Sequence, residues 1–222
     1  MQHYKKKLRA ILKYIGLTIF IVTFTCCQNE TEFKKIEFDR SIDVIENIGR
    51  NLNPDEKYEY WALLRANDGG HEHVDILNEF GDLNKRKLID LTYDREGFIV
   101  RGHHSTYSYY ISAVIDNEVI NVKDTKNLLS FLSDIDTMEE ALLITQINEF
   151  GIDNCFIEGG AYRKRNNRYE FQLMRSNHNT SIIDLSSYAL IQHLVFVDKN
   201  GKLSSKSCGI YCEGKKECID CE

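Results

Sequence analysis

Residues 106–122, Thr-Tyr-Ser-Tyr-Tyr-Ile-Ser-Ala-Val-Ile-Asp-Asn-Glu-Val-Ile-Asn-Val, decide the fold class. Tyr107, Tyr109, Ile111, Ala113 and Ile115 recur at every second position, the period of a strand whose side chains alternate between two faces. Asp116-Asn117 then turns the chain, and Glu118 to Val122 extend the meander. Upstream, Leu88 to Tyr93, a turn at Asp94-Arg95-Glu96-Gly97, and Phe98 to Gly102 suggest a hairpin. Downstream, Ala161 to Arg165 and Arg168 to Met174 flank Asn166-Asn167, where Asn tolerates the left-handed backbone of a short turn. Ala189 to Val197 is nearly continuous in apolar residues, which suggests a central strand, and Asp198-Lys199-Asn200-Gly201 turns it back.

Helix signals interrupt these strands. Asp124 or Thr125 caps a short helix through Leu132. Asp136 or Thr137 caps a second, with Glu139 and Glu140 in its first turn, Leu142, Ile144, Ile147 and Phe150 as its core stripe, and Gly151 past its end. A short helix is expected from Ser41 to Ile48, closed by Gly49. A better-marked one starts at Asn53, with Pro54 at the first helical position and Asp55 and Glu56 in the first turn. It runs through Trp61 and Leu64 to Asn67-Asp68-Gly69. A further helix is expected from Glu72 to Phe80, closed by Gly81. Strands interrupted by helices without regular βαβ alternation predict an α+β fold: a mostly antiparallel sheet with two to four helices, in a single domain.

The N-terminus carries a different signal. Lys5, Lys6, Lys7, Arg9 and Lys13 stand without an acid, and an apolar run from Tyr14 to Phe24 follows. This is the n-region and h-region of a secretory signal, too short for a membrane-spanning helix, which needs about 20 apolar residues. Thr23-Phe24-Thr25-Cys26-Cys27 comes next, then polar Gln28-Asn29-Glu30. In this segment the chain resembles bacterial lipoproteins, whose signal closes on the cysteine that becomes the first mature residue. Thr25 departs from the usual Gly, Ala or Ser, and Phe24 is bulkier than usual. The resemblance implies cleavage before Cys26, with Cys27 as the alternative, and acyl chains such as palmitate on that cysteine. At about 0.8 kcal/mol per buried CH₂, several such chains anchor a protein stably. The expected organisation is a signal at 1–25, a lipid-anchored tether at 26–40, a globular domain at 41–206 and a cysteine-rich tail at 207–222. The expected location is the cell envelope, on a membrane held through lipid.

Composition narrows the partners. Subtracting the five signal cations from a net charge of −6 leaves −11 on the mature chain, which phosphate backbones would repel. Nucleic acid is therefore not an expected partner; a membrane, an envelope protein or a small molecule is. Of the seven cysteines, Cys155 stands alone and Cys208, Cys212, Cys218 and Cys221 crowd the tail. Outside the cytoplasm such spacing predicts a disulfide-stapled tail with three possible pairings. The alternatives are a Cys₄ zinc or iron–sulfur site, since four thiolates satisfy a tetrahedral metal, or a redox C-x-x-C at Cys218 and Cys221. That last chemistry wants the first thiol at a helix N-terminus, which is not expected so close to Glu222.

No cofactor is expected on the principal reading. The alternative is zinc, held by His71, His73, His103 and His104, because neutral imidazoles bind it and leave a position for water. His71-Glu72-His73-Val74-Asp75 resembles part of the metallo-β-lactamase signature, with Ile76 where that pattern has His. Read as H-E-x-x-D, it resembles a zincin helix with its second ligand replaced. The bland alternative is a solvent-exposed loop and the end of an edge strand. His193, on an apolar strand, reads as a hydrogen-bonded core residue. Arg163, Arg165 and Arg168, with Lys164, form a basic hairpin tip that could grip a carboxylate, a phosphate or an acidic surface, or simply discourage edge-to-edge pairing. Tyr107, Tyr109 and Tyr110 could stack on a sugar, or serve as strand packing. With no complete catalytic motif, the chain reads as a non-enzymatic, lipid-anchored interaction or binding module. A zinc-dependent hydrolase is the alternative.

Overall fold

In the computed structural model, which describes residues 32–54, 57–68, 72–101, 106–153, 156–176 and 189–213, the run Tyr60–Asn67 is a strand, β2. A helix was expected there. The strand pairs on both sides, with β3 (His73–Gly81) and with β5 (Tyr107–Ile115), and its first five residues are buried. Burial on both faces replaces alternation with a continuous apolar run, which periodicity cannot tell from a core helix. The Asn53 backbone N–H meets the Glu140 carboxylate at 3.0 Å instead of opening a helix.

The helix expected over Glu72–Phe80 is likewise β3. Its register slips between Leu63 and Leu64, leaving Leu77 as the extra residue of a bulge. Val74 and Ile76 therefore pack on one side of the sheet and Leu77 on the other. That shift gives Ile76, Leu77 and Phe80 a helix-like spacing. The hairpin expected over 88–102 does not form. Leu83–Leu88 is a 3₁₀ helix and only Ile99–Arg101 is a strand, β4, paired with β5. The meander is present, with Asp116 and Asn117 at positive φ leading into β6 (Glu118–Val122). One edge of β5 is thus shared by β4 and β6, and the other is held by β2.

The second sheet runs in the order β1 (Lys34–Lys35), β7 (Ala161–Arg165), β8 (Arg168–Ser176), β9 (Ala189–Asp198), β10 (Leu203–Glu213). Asn166 and Asn167 adopt the left-handed backbone at the β7–β8 turn, and β9 is the central strand expected. The stretch expected as tether contributes β1 and Ile36, which is 1% exposed in the core. Residues 207–213 of the expected tail continue β10.

Among the described residues there are three α-helices: α1 (Val44–Gly49), α2 (Thr125–Leu132) and α3 (Met138–Ile147). Asp43, Asp124 and Thr137 cap them, and Thr137 and Glu140 form a reciprocal capping box. Glu140 is fully buried, yet accepts from the backbones of Asn53, Asp136 and Thr137, so its desolvation is compensated. The residues Phe33–Glu222 form one compact unit of α+β class, in which every pairing between named strands is antiparallel. The principal core gathers Trp61 and Ile111 from the first sheet, Phe171 and Val195 from the second, and Phe131 and Leu142 from the helices. On the other face of the first sheet, Tyr60, Leu64, Tyr110 and Val114 are covered by Ile89 and Tyr93 of the segment after the 3₁₀ helix.

Candidate functional site

A half-open cleft of about 590 Å³ lies where β4, the start of α1, the C-terminal end of α3 and the end of β8 meet. Phe98, Ile99 and Phe150 line it and are buried; Val44, Ile147 and Ile152 are partly so. Its polar wall is built around one amide. Gln146 is 4% exposed, receives Arg101 Nη2 on Oε1 at 2.8 Å, and donates from Nε2 to the Phe150 carbonyl at 2.7 Å. The chain can meet Phe150 in this way because α3 ends there: Asn148 closes the helix and Glu149 takes a positive φ of 62°. Gly151 then bonds Met174 of β8 in both directions, at 2.6 and 3.0 Å. Arg101 has no carboxylate within salt-bridge distance among the described residues; Glu149, also on the cleft wall, pairs with Arg175 at 3.1 Å.

A polar row continues from Arg101 across the core-facing side of the first sheet. The strand registers align Arg101, Tyr107, Asn67 and His73 in one row, and Ile99, Tyr109, Arg65 and Asp75 in the next. Arg65 reaches one Asp75 oxygen with Nη2 at 2.8 Å and Nε at 3.2 Å, and lies over the Tyr107 ring. Burial works against the Arg65 charge, but the Asp75 carboxylate outweighs it and raises the guanidinium further. Tyr109 donates to Asp43 at 3.1 Å, and burial followed by that carboxylate pushes its hydroxyl up to about 12. It stays a proton donor at any physiological pH.

Of the histidines expected to hold zinc, His73 is described. It is half exposed on β3, its Nε2 3.6 Å from Asp75. His71, His103 and His104 lie outside the described residues. Among the described residues no three of His, Cys, Asp and Glu converge as metal ligands. Of the tyrosines, Tyr107 and Tyr109 face the polar row, while Tyr110 packs into the second core, so the three do not make one stacking platform. The buried Nδ1 of His193 has no hydrogen-bond partner among the described residues, and its ring stands edge-on to Phe150 at 5.4 Å.

The basic hairpin tip is committed elsewhere. Glu170, 1% exposed, takes Arg163 on one oxygen, from Nε and Nη2 at 2.8 Å each, and Arg168 on the other at 3.0 and 2.8 Å. The two guanidiniums also cover the rings of Phe33 and Phe196. Arg163 and Arg168 therefore clamp Glu170 between them. Arg165 pairs with Arg168 across the turn register.

In the tail, Cys208 is a free, exposed thiol, where all four cysteines were expected to pair; it sits beside the register shift between Ser207 and Gly209 of β10. Cys26, Cys27, Cys155, Cys218 and Cys221 fall outside the described residues. No described helix is long and apolar enough to cross a membrane.

Sequence patterns singled out neither Arg101 nor Gln146. They lie 45 residues apart, on a strand and a helix whose apposition no local pattern encodes. Comparison with protein-family models, with curated proteins and with solved structures finds no match to this chain.

Proposed function

We propose that this chain is an exported, lipid-anchored binding protein of the bacterial cell envelope, non-enzymatic, whose ligand enters the cleft beside Arg101. The observation that carries the binding role is the cleft itself: about 590 Å³, lined by both apolar and polar residues, with one oriented cation on its wall. Ligand sites typically fall in that size range and carry a few placed polar groups. The anchor rests on the basic and apolar N-terminus ending at Cys26-Cys27. Metabolic labelling with palmitate tests it: the label should enter the wild-type chain and disappear in Cys26→Ser, with Cys27→Ser as the alternative arm. Membrane-free, unlabelled wild-type protein would overturn the anchor. Native mass spectrometry against a library of metabolite-sized compounds tests the cleft. Adducts should form with the wild type and be lost in Gly151→Phe, which adds an aromatic ring at a residue lining the cleft; adducts indifferent to that change would overturn this site.

One observation favours a second reading, the zinc-dependent hydrolase. Asp68 and Thr106 bond each other, Thr106 N–H to the Asp68 carboxylate at 2.6 Å and Asp68 N–H to the Thr106 carbonyl at 3.2 Å. Asp68 precedes the segment with His71 and Thr106 follows the one with His103 and His104, beside the row that carries His73. Close to one equivalent of zinc in purified protein, lost on His73→Ala, would favour this reading; metal-free protein would end it.

A further inference from the structure

Resting on the cleft as the binding site, we propose that its ligand is a small organic acid: an aliphatic or arylalkyl body on the apolar side chains of the lining, with one carboxylate held by Arg101. Val44, Phe98, Ile99, Ile147, Phe150 and Ile152 give an apolar body side chains to pack on, beside polar lining from Arg101, Gln146, Glu149 and Ser176. Guanidinium has five N–H donors in a planar fork suited to carboxylate. One of them is used on Gln146, and no carboxylate within 4 Å neutralises Arg101 among the described residues.

The Asp43 carboxylate, next to Val44, accepts from the Ile45 N–H and the Tyr109 hydroxyl. Glu149 is paired with Arg175, whose guanidinium lies over the Phe150 ring. One cation without a carboxylate partner among the described residues stands on the cleft wall. That selects a monoanion over a cation or a neutral molecule. Gln146 positions the fork. Being buried, and bonded in turn to the Phe150 carbonyl, it holds Arg101 from behind without competing for it as a charge would.

The probe is octanoate, compared with octan-1-ol and octylamine, each titrated by calorimetry into the full chain and its variants in one common medium. Octanoate should bind, with octan-1-ol about ten- to hundred-fold weaker, the range of a lost hydrogen bond to a charged group, and octylamine weaker still. Arg101→Gln should weaken octanoate by that factor and leave octan-1-ol unchanged, while Arg101→Lys recovers part of it. Gly151→Phe should abolish both. Its backbone φ is not in the left-handed region, and a Cβ there meets only the Met174 carbonyl at 3.7 Å, so the backbone admits a side chain at this position; circular dichroism of the variant checks that the fold is kept. Equal binding of octanoate and octan-1-ol, or indifference to Arg101→Gln, would overturn the carboxylate assignment while leaving the cleft as a binding site. Octanoate binding unaffected by Gly151→Phe would overturn both. No octanoate binding, alongside library adducts that Gly151→Phe removes, would overturn the acid alone.

Discussion

Changing Glu170 to Gln should destabilise the domain by about 2 to 3 kcal/mol. The carboxylate side chain is 2% exposed and bracketed by Arg163, 18% exposed, and Arg168, 45% exposed. Removing one partner of a fully buried pair costs about 3–5 kcal/mol, because the remaining charge is left unpaired. Arg168 can rehydrate, which reduces its arm to the surface scale of about 1 kcal/mol or less. The Arg163 arm therefore carries most of the loss. For a domain of this size a loss of 2 to 3 kcal/mol lowers Tm by on the order of 5 to 10 °C.

The pH dependence gives a second readout of the same clamp. Burial alone would raise the Glu170 carboxyl, but the bonds from Arg168 and Arg163 outweigh it and hold it below its ordinary 4.5. A group whose folded value is depressed stabilises above its unfolded value, and that stability is lost as pH falls through the folded one. The gap between wild type and Glu170→Gln should thus be full at pH 7 and shrink below about pH 4.5. Thermal denaturation followed by circular dichroism, at pH 7 and at pH 3, measures both. A Tm drop of less than about 1 °C at pH 7, or a gap unchanged at pH 3, would refute the clamp.

Three further outcomes are expected. Burial, then Arg175, lowers His193 below its ordinary 6.5, so the unfolded chain binds the proton first; stability present above pH 6.5 should fall as pH drops, and His193→Phe should flatten that slope in Tm scans from pH 7.5 to 5.5. Gly81→Ala forces a Cβ to within 2.3 Å of the Glu59 carbonyl at φ +97°, and should cost about 2 kcal/mol or more in urea titrations, whereas Gly151→Ala should cost little. Thr137→Ala removes the cap of α3 and should cost about 1 kcal/mol, measured by the same titrations.

Local rules reached the elements whose pattern is one-sided. The β5–β6 turn, the cap of α3 at Asp136 or Thr137 and the Asn166-Asn167 hairpin are written in adjacent residues, and the structure has each of them, with Thr137 as the cap. They fail at β2, where a second layer beneath Ile89 and Tyr93 buries the face that would otherwise be polar. They fail again at β3, where the Leu77 bulge breaks the alternation. The cleft was illegible for another reason. Arg101 meets Gln146, and Gly151 meets Met174, only after β4, α3 and β8 have assembled, and each residue alone resembles ordinary surface or helix text. At the basic tip, Arg163, Arg165 and Arg168 are visible as a charge run, but the register that brings Glu170 opposite Arg163 is not.

The most direct test of a binding cleft beside Arg101 is an amide chemical-shift map of the chain titrated with octanoate. Perturbations are predicted to cluster at Ile99–Arg101, at Gln146–Ile152 and at Val44, and to vanish in Gly151→Phe. Shifts centred instead on the Arg163–Arg168 hairpin or on β10, or persisting in that variant, would contradict it.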